Sequence, residues 1–191
     1  MKILLVVATQ QEIMEDRFEG CTVLITGVGM VNTSIQLTKE LLQDNYDLVI
    51  NMGVVGSFNT LKIGEVVEVI QDSFSEIGFE NNSVFEEFSD LKIKASYSVE
   101  GKTDLQKVKG ISVNTVHGNE ESIAKVVKRI NPDVESMEGA AVFKVCKEFK
   151  TPCMQIRSIS NKVESRNKAN WDIPLAIQNL NNEVAKIIAE L

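Results

Sequence analysis

The chain has 191 residues, 43% of them hydrophobic and 6% aromatic, with a formal net charge of -7. That much apolar side chain excludes a disordered polymer, and the length suits one domain with a core of its own. The acidic balance, with Lys and Arg scattered along the chain, disfavours a nucleic-acid or anionic-membrane surface and favours a small-molecule or protein partner.

KILLVVA (2–8) is the first of six short runs rich in Val and Ile. It is too short to span a membrane and meets TQQE without a cleavage-site pattern, so a cytoplasmic chain is expected. CTVLIT (21–26), DLVINMG (47–53), EVVEVI (65–70), GISVNTV (110–116) and PCMQIRSI (152–159) follow. Their nearly continuous apolar character predicts strands buried on both faces. Helical patterns fall at 30–44, 119–130, 138–149 and 172–190. Strand and helix in alternation predict an α/β layered fold with a mainly parallel sheet. Residues 71–109 are polar and predict loops with an antiparallel hairpin. Neither a repeat nor a linker divides the chain, so a single domain over 1–191 is expected. Cys21, Cys146 and Cys153 match no metal or redox spacing and are expected to be buried thiols in a reducing compartment. No metal ion or cofactor is called for.

In a parallel sheet the site lies at the carboxyl ends of the strands. Those ends read ATQQE with Glu12, TGVGMVN with Gly27 and Gly29, NMGVVGS with Gly53 and Gly56, NTVHGN with His117, and IRSISN with Arg157 and Asn161. Each has a plain alternative. The glycines also suit tight turns, Glu12 suits a helix start, and His117 suits a hydrogen-bonded loop as well as a substrate contact. TGVGMV lacks the dinucleotide fingerprint and no Walker loop is present.

VESMEGAAVFKVC is more specific. Glu138 stands where a helix should begin, and Gly139, Ala140 and Ala141 let that helix approach the sheet closely. Together with ATQQE, ITGVGMVN, NMGVVGSFNTLKIGEVVEV, VNTVHGNEES and IRSISNKVESRN followed by Trp171, it resembles the nucleoside phosphorylase and nucleosidase superfamily along nearly the whole chain. The resemblance implies a three-layer fold, a twisted mixed sheet flanked by helices, and cleavage of the N-glycosidic bond of a purine nucleoside. It also implies roles: Glu12 activates water with Arg157 beside it, Glu138 binds the ribose hydroxyls, and Met137 packs on the sugar. The backbone at Val55 and Gly56 lines the base site, and Ser160 orients Asn161.

In the superfamily members that release adenine, an aspartic acid that protonates the base is implied where this chain has Asn161. An amide is no general acid, but it offers an acceptor and two donors in one plane. It can accept from N7–H and donate to a 6-oxo group, which points to hypoxanthine as the leaving base. Within the superfamily the resemblance is strongest to the branch that acts on futalosine, in menaquinone synthesis. That nucleoside carries hypoxanthine, and its 5′ end bears a carboxylated aromatic ketone. Trp171 would stack on this tail, with Lys162, Arg166 or Lys168 meeting the carboxylate. The alternatives are a methylthioadenosine or aminodeoxyfutalosine nucleosidase and a purine nucleoside phosphorylase. Phosphorolysis is disfavoured because the only arginine between residues 1 and 60 is Arg17, outside the glycine motifs. A serine that helps hold water in some members is Val54 here. The resemblance further implies a homo-oligomer.

Overall fold

The computed structural model describes residues 1–82, 84–88 and 93–191. Strand β1 (Ile3–Val7) lies between β2 (Thr22–Ile25) and β3 (Leu48–Ser57), parallel to both. Strand β10 (Cys153–Lys162) runs parallel to β3 on its other side and continues to β4 (Val66–Phe74), which is antiparallel to it. From β4 the sheet passes through β8 (Gln106–Ser112) and β9 (Val134–Ser136) and returns to β3 at Gly56 and Ser57. Five strands therefore close on themselves, with β1 and β2 as a two-strand extension. Strand β7 (Ser96–Ser98) adds to β4, while β5 (Phe79–Asn81) and β6 (Val84–Glu86) form the hairpin expected of the polar middle.

Alternation along β1 divides the core. Ile3, Leu5 and Val7 meet Met52, Ile156 and the apolar stripe of α4 (Ile173–Glu190), whose Leu180, Val184 and Ile187 recur at helical spacing. Leu4 and Val6 face the opposite way, onto Leu37 of α1 (Met30–Gln43) and Val142 and Phe143 of α3 (Gly139–Phe149). Helices thus cover both faces, which is why strands buried on both sides read as unbroken apolar runs. Helix α2 (Glu120–Ile130) starts at Asn119, whose side chain accepts from the Glu121 and Ser122 amides, and seats Val126 over Ile111 and Val113. No described helix is long and apolar enough to cross a membrane.

Three expectations need correction. The strand expected at 110–116 is displaced toward the N-terminus: β8 occupies Gln106–Ser112 and shares only Gly110–Ser112 with that run. Its first half alternates exposed Lys107 and Lys109 with buried Val108, so it lacks the continuous apolar signal used to find the others. Strand β9 was not expected at all, being three residues long and half polar. Cys146 and Cys153 are buried as expected, whereas Cys21, before the edge strand β2, is only partly covered.

Candidate functional site

Strand β3 changes partner along one edge. Leu48–Asn51 pair with β1 and Gly56–Ser57 with β9, and between them the backbone is free of strand neighbours on that side. Glu12 fills part of this gap. It ends a short turn, Gln10–Glu12, and its Oε1 accepts from the Val54 amide at 3.2 Å while Oε2 accepts from Thr9 N at 3.0 Å and Thr9 Oγ1 at 3.2 Å. Buried Asn181 of α4 fastens the turn from below, donating to the Glu12 carbonyl and accepting from Met14 N. Burial pushes the Glu12 carboxyl above its ordinary range; the Arg157 guanidinium opposes the rise and the Glu138 charge adds to it.

Arg157 lies opposite Gly53 on β3 and is 1% exposed. A β-carbon at Gly53 would fall 2.2 Å from Arg157 Nη1 and 2.8 Å from Glu12 Oε1, so the missing side chain is what lets the two charged groups share this space. The guanidinium is held by Asn51 Oδ1 and by Gln155 Oε1, the latter at 2.9 Å from Nε. Gln155 in turn donates to Asp72 at 3.1 Å, and Asp72 accepts from Ser112 Oγ at 3.1 Å. Asp72 is fully enclosed, and burial raises its carboxyl to about 6. Gly139 opens α3 above this row; a β-carbon there would sit 2.2 Å from both Asp72 Oδ2 and Gln155 Oε1.

Glu138 precedes α3 and is also buried. Its Oε1 accepts from the Gly29 amide at 3.0 Å and Oε2 from its neighbour Met137 N at 3.2 Å. Gly29 has φ of 97° at the start of α1, a conformation that favours glycine and aims its N–H at the carboxylate. The expected glycine-rich loop and the Met-Glu pair therefore meet through this hydrogen bond. Each Glu138 oxygen keeps a free lone pair for further donors.

Beyond the closed strands, Asn161 stands beside Gly56 in the parallel register, just after an irregularity in β10. Ser160 Oγ donates to Asn161 Oδ1 at 2.8 Å, and Asn161 Nδ2 donates to the Lys162 carbonyl at 2.8 Å. Asn161 and Gly56 border a cavity of about 80 Å³ that also meets His117, Glu135, Arg166 and Trp171. The Arg166 guanidinium lies over the Trp171 ring, 5.1 Å from its centre. The Val55 side chain joins an apolar cluster with Val67 and Ile159, and partly buried Met137 packs against the cluster beneath α2.

The sequence matches the phosphorylase superfamily model over residues 12–191. The chain belongs to that superfamily. A 5′-methylthioadenosine/S-adenosylhomocysteine nucleosidase of Psychromonas ingrahamii is 26% identical over 199 residues, spanning 94% of this chain and 86% of that protein. A futalosine hydrolase of Thermus thermophilus is 23% identical over 185 residues, spanning 90% and 82%. The fold matches the native structure of Helicobacter pylori futalosine hydrolase with a TM-score of 0.88 at 19% identity, covering 100% of this chain and 98% of that one. Of the residues singled out from the sequence, Glu12 and Arg157 share the space beside Gly53 and Glu138 acts on the Glu12 carboxyl through its charge, while Asn161 borders a separate cavity. Sequence reading missed Asn51, Asp72, Ser112, Glu135 and Gln155. The signal was there: each is a polar residue inside an otherwise buried strand, where it must find a hydrogen-bond partner.

Proposed function

We propose that this protein hydrolyses the N-glycosidic bond of futalosine and releases hypoxanthine. The coarser reading, a nucleosidase acting on purine nucleosides, is common ground for the relatives on both sides of the substrate question. Asn161 is the observation that favours futalosine. Ser160 already uses one lone pair of its Oδ1, and Lys162 uses one hydrogen of its Nδ2. One acceptor and one donor remain, side by side, to take N7–H and the 6-oxo group of a departing hypoxanthine. The bond to the 6-oxo group strengthens as the ring gains negative charge, and N7 takes its proton from water, since an amide cannot supply it, before donating to the Asn161 oxygen.

Glu12 is the base that takes a proton from water. Its raised pKa makes it a stronger base than an ordinary carboxylate, and Arg157 keeps enough positive charge nearby for it to ionise. Glu138 fixes the ribose hydroxyls while positive charge builds at the anomeric carbon. Arg17, which in a phosphorolytic enzyme would be needed for phosphate, is turned to Asn182 of α4. Arg166 and Trp171 border the cavity beside Asn161, where an anionic aromatic tail would meet them. The protein would act as a homo-oligomer in the cytoplasm, without a cofactor or metal ion.

A second reading, methylthioadenosine hydrolysis, is favoured by the 26% identity to the nucleosidase of Psychromonas ingrahamii. Chromatography separates the two. Purified protein in phosphate-free buffer is incubated with futalosine, its adenine counterpart, methylthioadenosine and inosine, and the free base is measured. Hypoxanthine from futalosine is the expected product; adenine from methylthioadenosine at a comparable rate would replace the first reading by the second.

A further inference from the structure

The residues proposed to act on the nucleoside lie toward the carboxyl end of β10, and a second cavity opens at the other end of that strand. Its volume is about 380 Å³, and it is bounded by β7, by α3 and by the start of β10 at Pro152 and Cys153. It shares no residue with the cavity beside Asn161. Cys153 and Asn161 stand at opposite ends of one strand, roughly 25 Å apart at the rise of a β-strand.

Strand β7 is fastened to β4 at both ends, the Val99 amide donating to the Ile70 carbonyl at 2.9 Å and the Phe74 amide to the Ala95 carbonyl at 2.8 Å. This seats Tyr97 in the core cluster under α3, with Phe74 against the edge of its ring. Three ammonium groups gather on that ring: Lys94 at 5.2 Å from its centre, Lys147 at 5.7 Å and Lys144 at 5.8 Å. They differ in what else they meet. Lys144 is paired with Glu148 at 2.6 Å. Among the described residues, no carboxylate lies within ion-pair distance of Lys94, of Lys147 or of Lys102, which also borders the cavity. Lys147, first as a hydrogen-bond neighbour and then through its charge, holds the Lys94 ammonium below the ordinary lysine value. Glu100 is the one acidic residue among those described at the cavity. In a chain of net charge -7, three lysines against one glutamate reverse the local sign. Like charges so placed repel, and an anion between them turns the repulsion into attraction.

We propose that this cavity is a second binding site, separate from the catalytic one, for a phosphate monoester with a flat apolar body. At pH 7 such a head carries a charge of about -1.5 to -2 and three acceptor oxygens, a match for the ammonium groups of Lys94 and Lys147 with Lys102 beside them. Lysines suit it because each is a mobile point charge, whereas a planar carboxylate is better met by the fork of an arginine. The apolar body has its own wall in Val99 and Pro152. A carboxylate brings too little charge for this site, and inorganic phosphate leaves the apolar wall unused. None of this depends on which nucleoside the catalytic site takes.

The probe is phenyl phosphate, titrated calorimetrically into the purified protein at low ionic strength, with inorganic phosphate, benzoate and phenol in parallel. Phenyl phosphate should bind saturably with Kd below about 1 mM, at least tenfold tighter than each of the other three. Lys94→Glu and Lys147→Glu alter exposed side chains, so circular dichroism and Tm should stay those of wild type while each charge reversal weakens binding at least tenfold. Arg166→Ala should leave the affinity unchanged. A wild-type measurement guards against a variant that does not fold: at about 1 M salt, where the Debye length falls to about 3 Å, binding should weaken at least tenfold. No saturable binding, a Kd indifferent to salt, or affinity preserved in both lysine variants would each overturn the proposal. So would inorganic phosphate or benzoate binding as tightly as phenyl phosphate, and so would loss of binding in Arg166→Ala, which would put the probe in the cavity beside Asn161.

Discussion

Arg157 and Asn161 leave the same strand four residues apart, yet they live in different surroundings. Arg157 is enclosed, flanked by β3 and β4, and tied through Gln155 to Asp72 on β4 and from there to Ser112 on β8. Beyond Lys162 the chain leaves the sheet for a loop that runs to Trp171, in which Arg166 is exposed and lies over the Trp171 ring. The end proposed to handle water is thus fixed by buried bonds from several elements, while the end proposed to meet the substrate tail lies on one loop. Chemistry common to a superfamily tolerates no displacement, and specificity is cheapest to vary where a side chain has few neighbours.

The contrast predicts where substitution should hurt most. Glu12→Gln removes the base and should lower kcat about a thousandfold with the circular dichroism spectrum intact. In the wild type the rate should fall as pH drops through the raised Glu12 value, above the ordinary carboxylate range, because only the ionised form accepts a proton. Near-normal turnover by the variant would move water activation to another group.

Asp72 tests how firmly the buried end is built. Its carboxyl is raised from 3.8 to about 6 on folding, so it favours the fold fully below its unfolded value and loses that contribution as pH rises through 6. This amounts to roughly 3 kcal/mol. Urea unfolding of wild type and Asp72→Asn at pH 4 and pH 7 should therefore differ in slope with pH, the wild type losing the extra stability. Parallel profiles would mean that Asp72 is ionised as easily in the fold as outside it.

Gly53→Ala should come next. The new methyl would occupy the space of Arg157 Nη1, and kcat should drop about a hundredfold from misplacement alone, since 1 Å suffices for that. A fully active variant would show that the arginine can retreat without consequence. The smallest effect belongs to the loop: Arg166→Ala should change kcat/KM about fivefold or less, and only for nucleosides with an anionic tail. A hundredfold loss there would erase the contrast between the two ends.

Much of this was readable before any coordinates. The strands that pack on both faces, β1, β3 and β10, are apolar runs, and the helices that cover them carry their stripes at helical spacing; these were found within a few residues, although β3 runs on to Ser57. The misplaced β8 and unseen β9 share a cause. Each is short or half polar, because its other face meets solvent or a polar interior, and a search for continuous apolarity passes over such strands. Among the proposed site residues, Glu12, Arg157 and Asn161 could be named because they stand at the ends of apolar runs, and Glu138 because it stands where a helix begins. Glu135 could not, since its place beside Gly56 depends on β9 pairing with β3, a contact between residues far apart in sequence. His117 was noticed as the lone histidine, but nothing local shows that its partner is Glu135.

The double pairing of β10 has a consequence for how the molecule comes apart. With β3 on one side and β4 on the other, the amides near Arg157 should exchange with solvent only when the sheet opens as a whole, whereas those past Lys162 should exchange by local fraying. Heating would then silence tail recognition while the water-handling end still stood, and that end would fail at the same temperature as the fold.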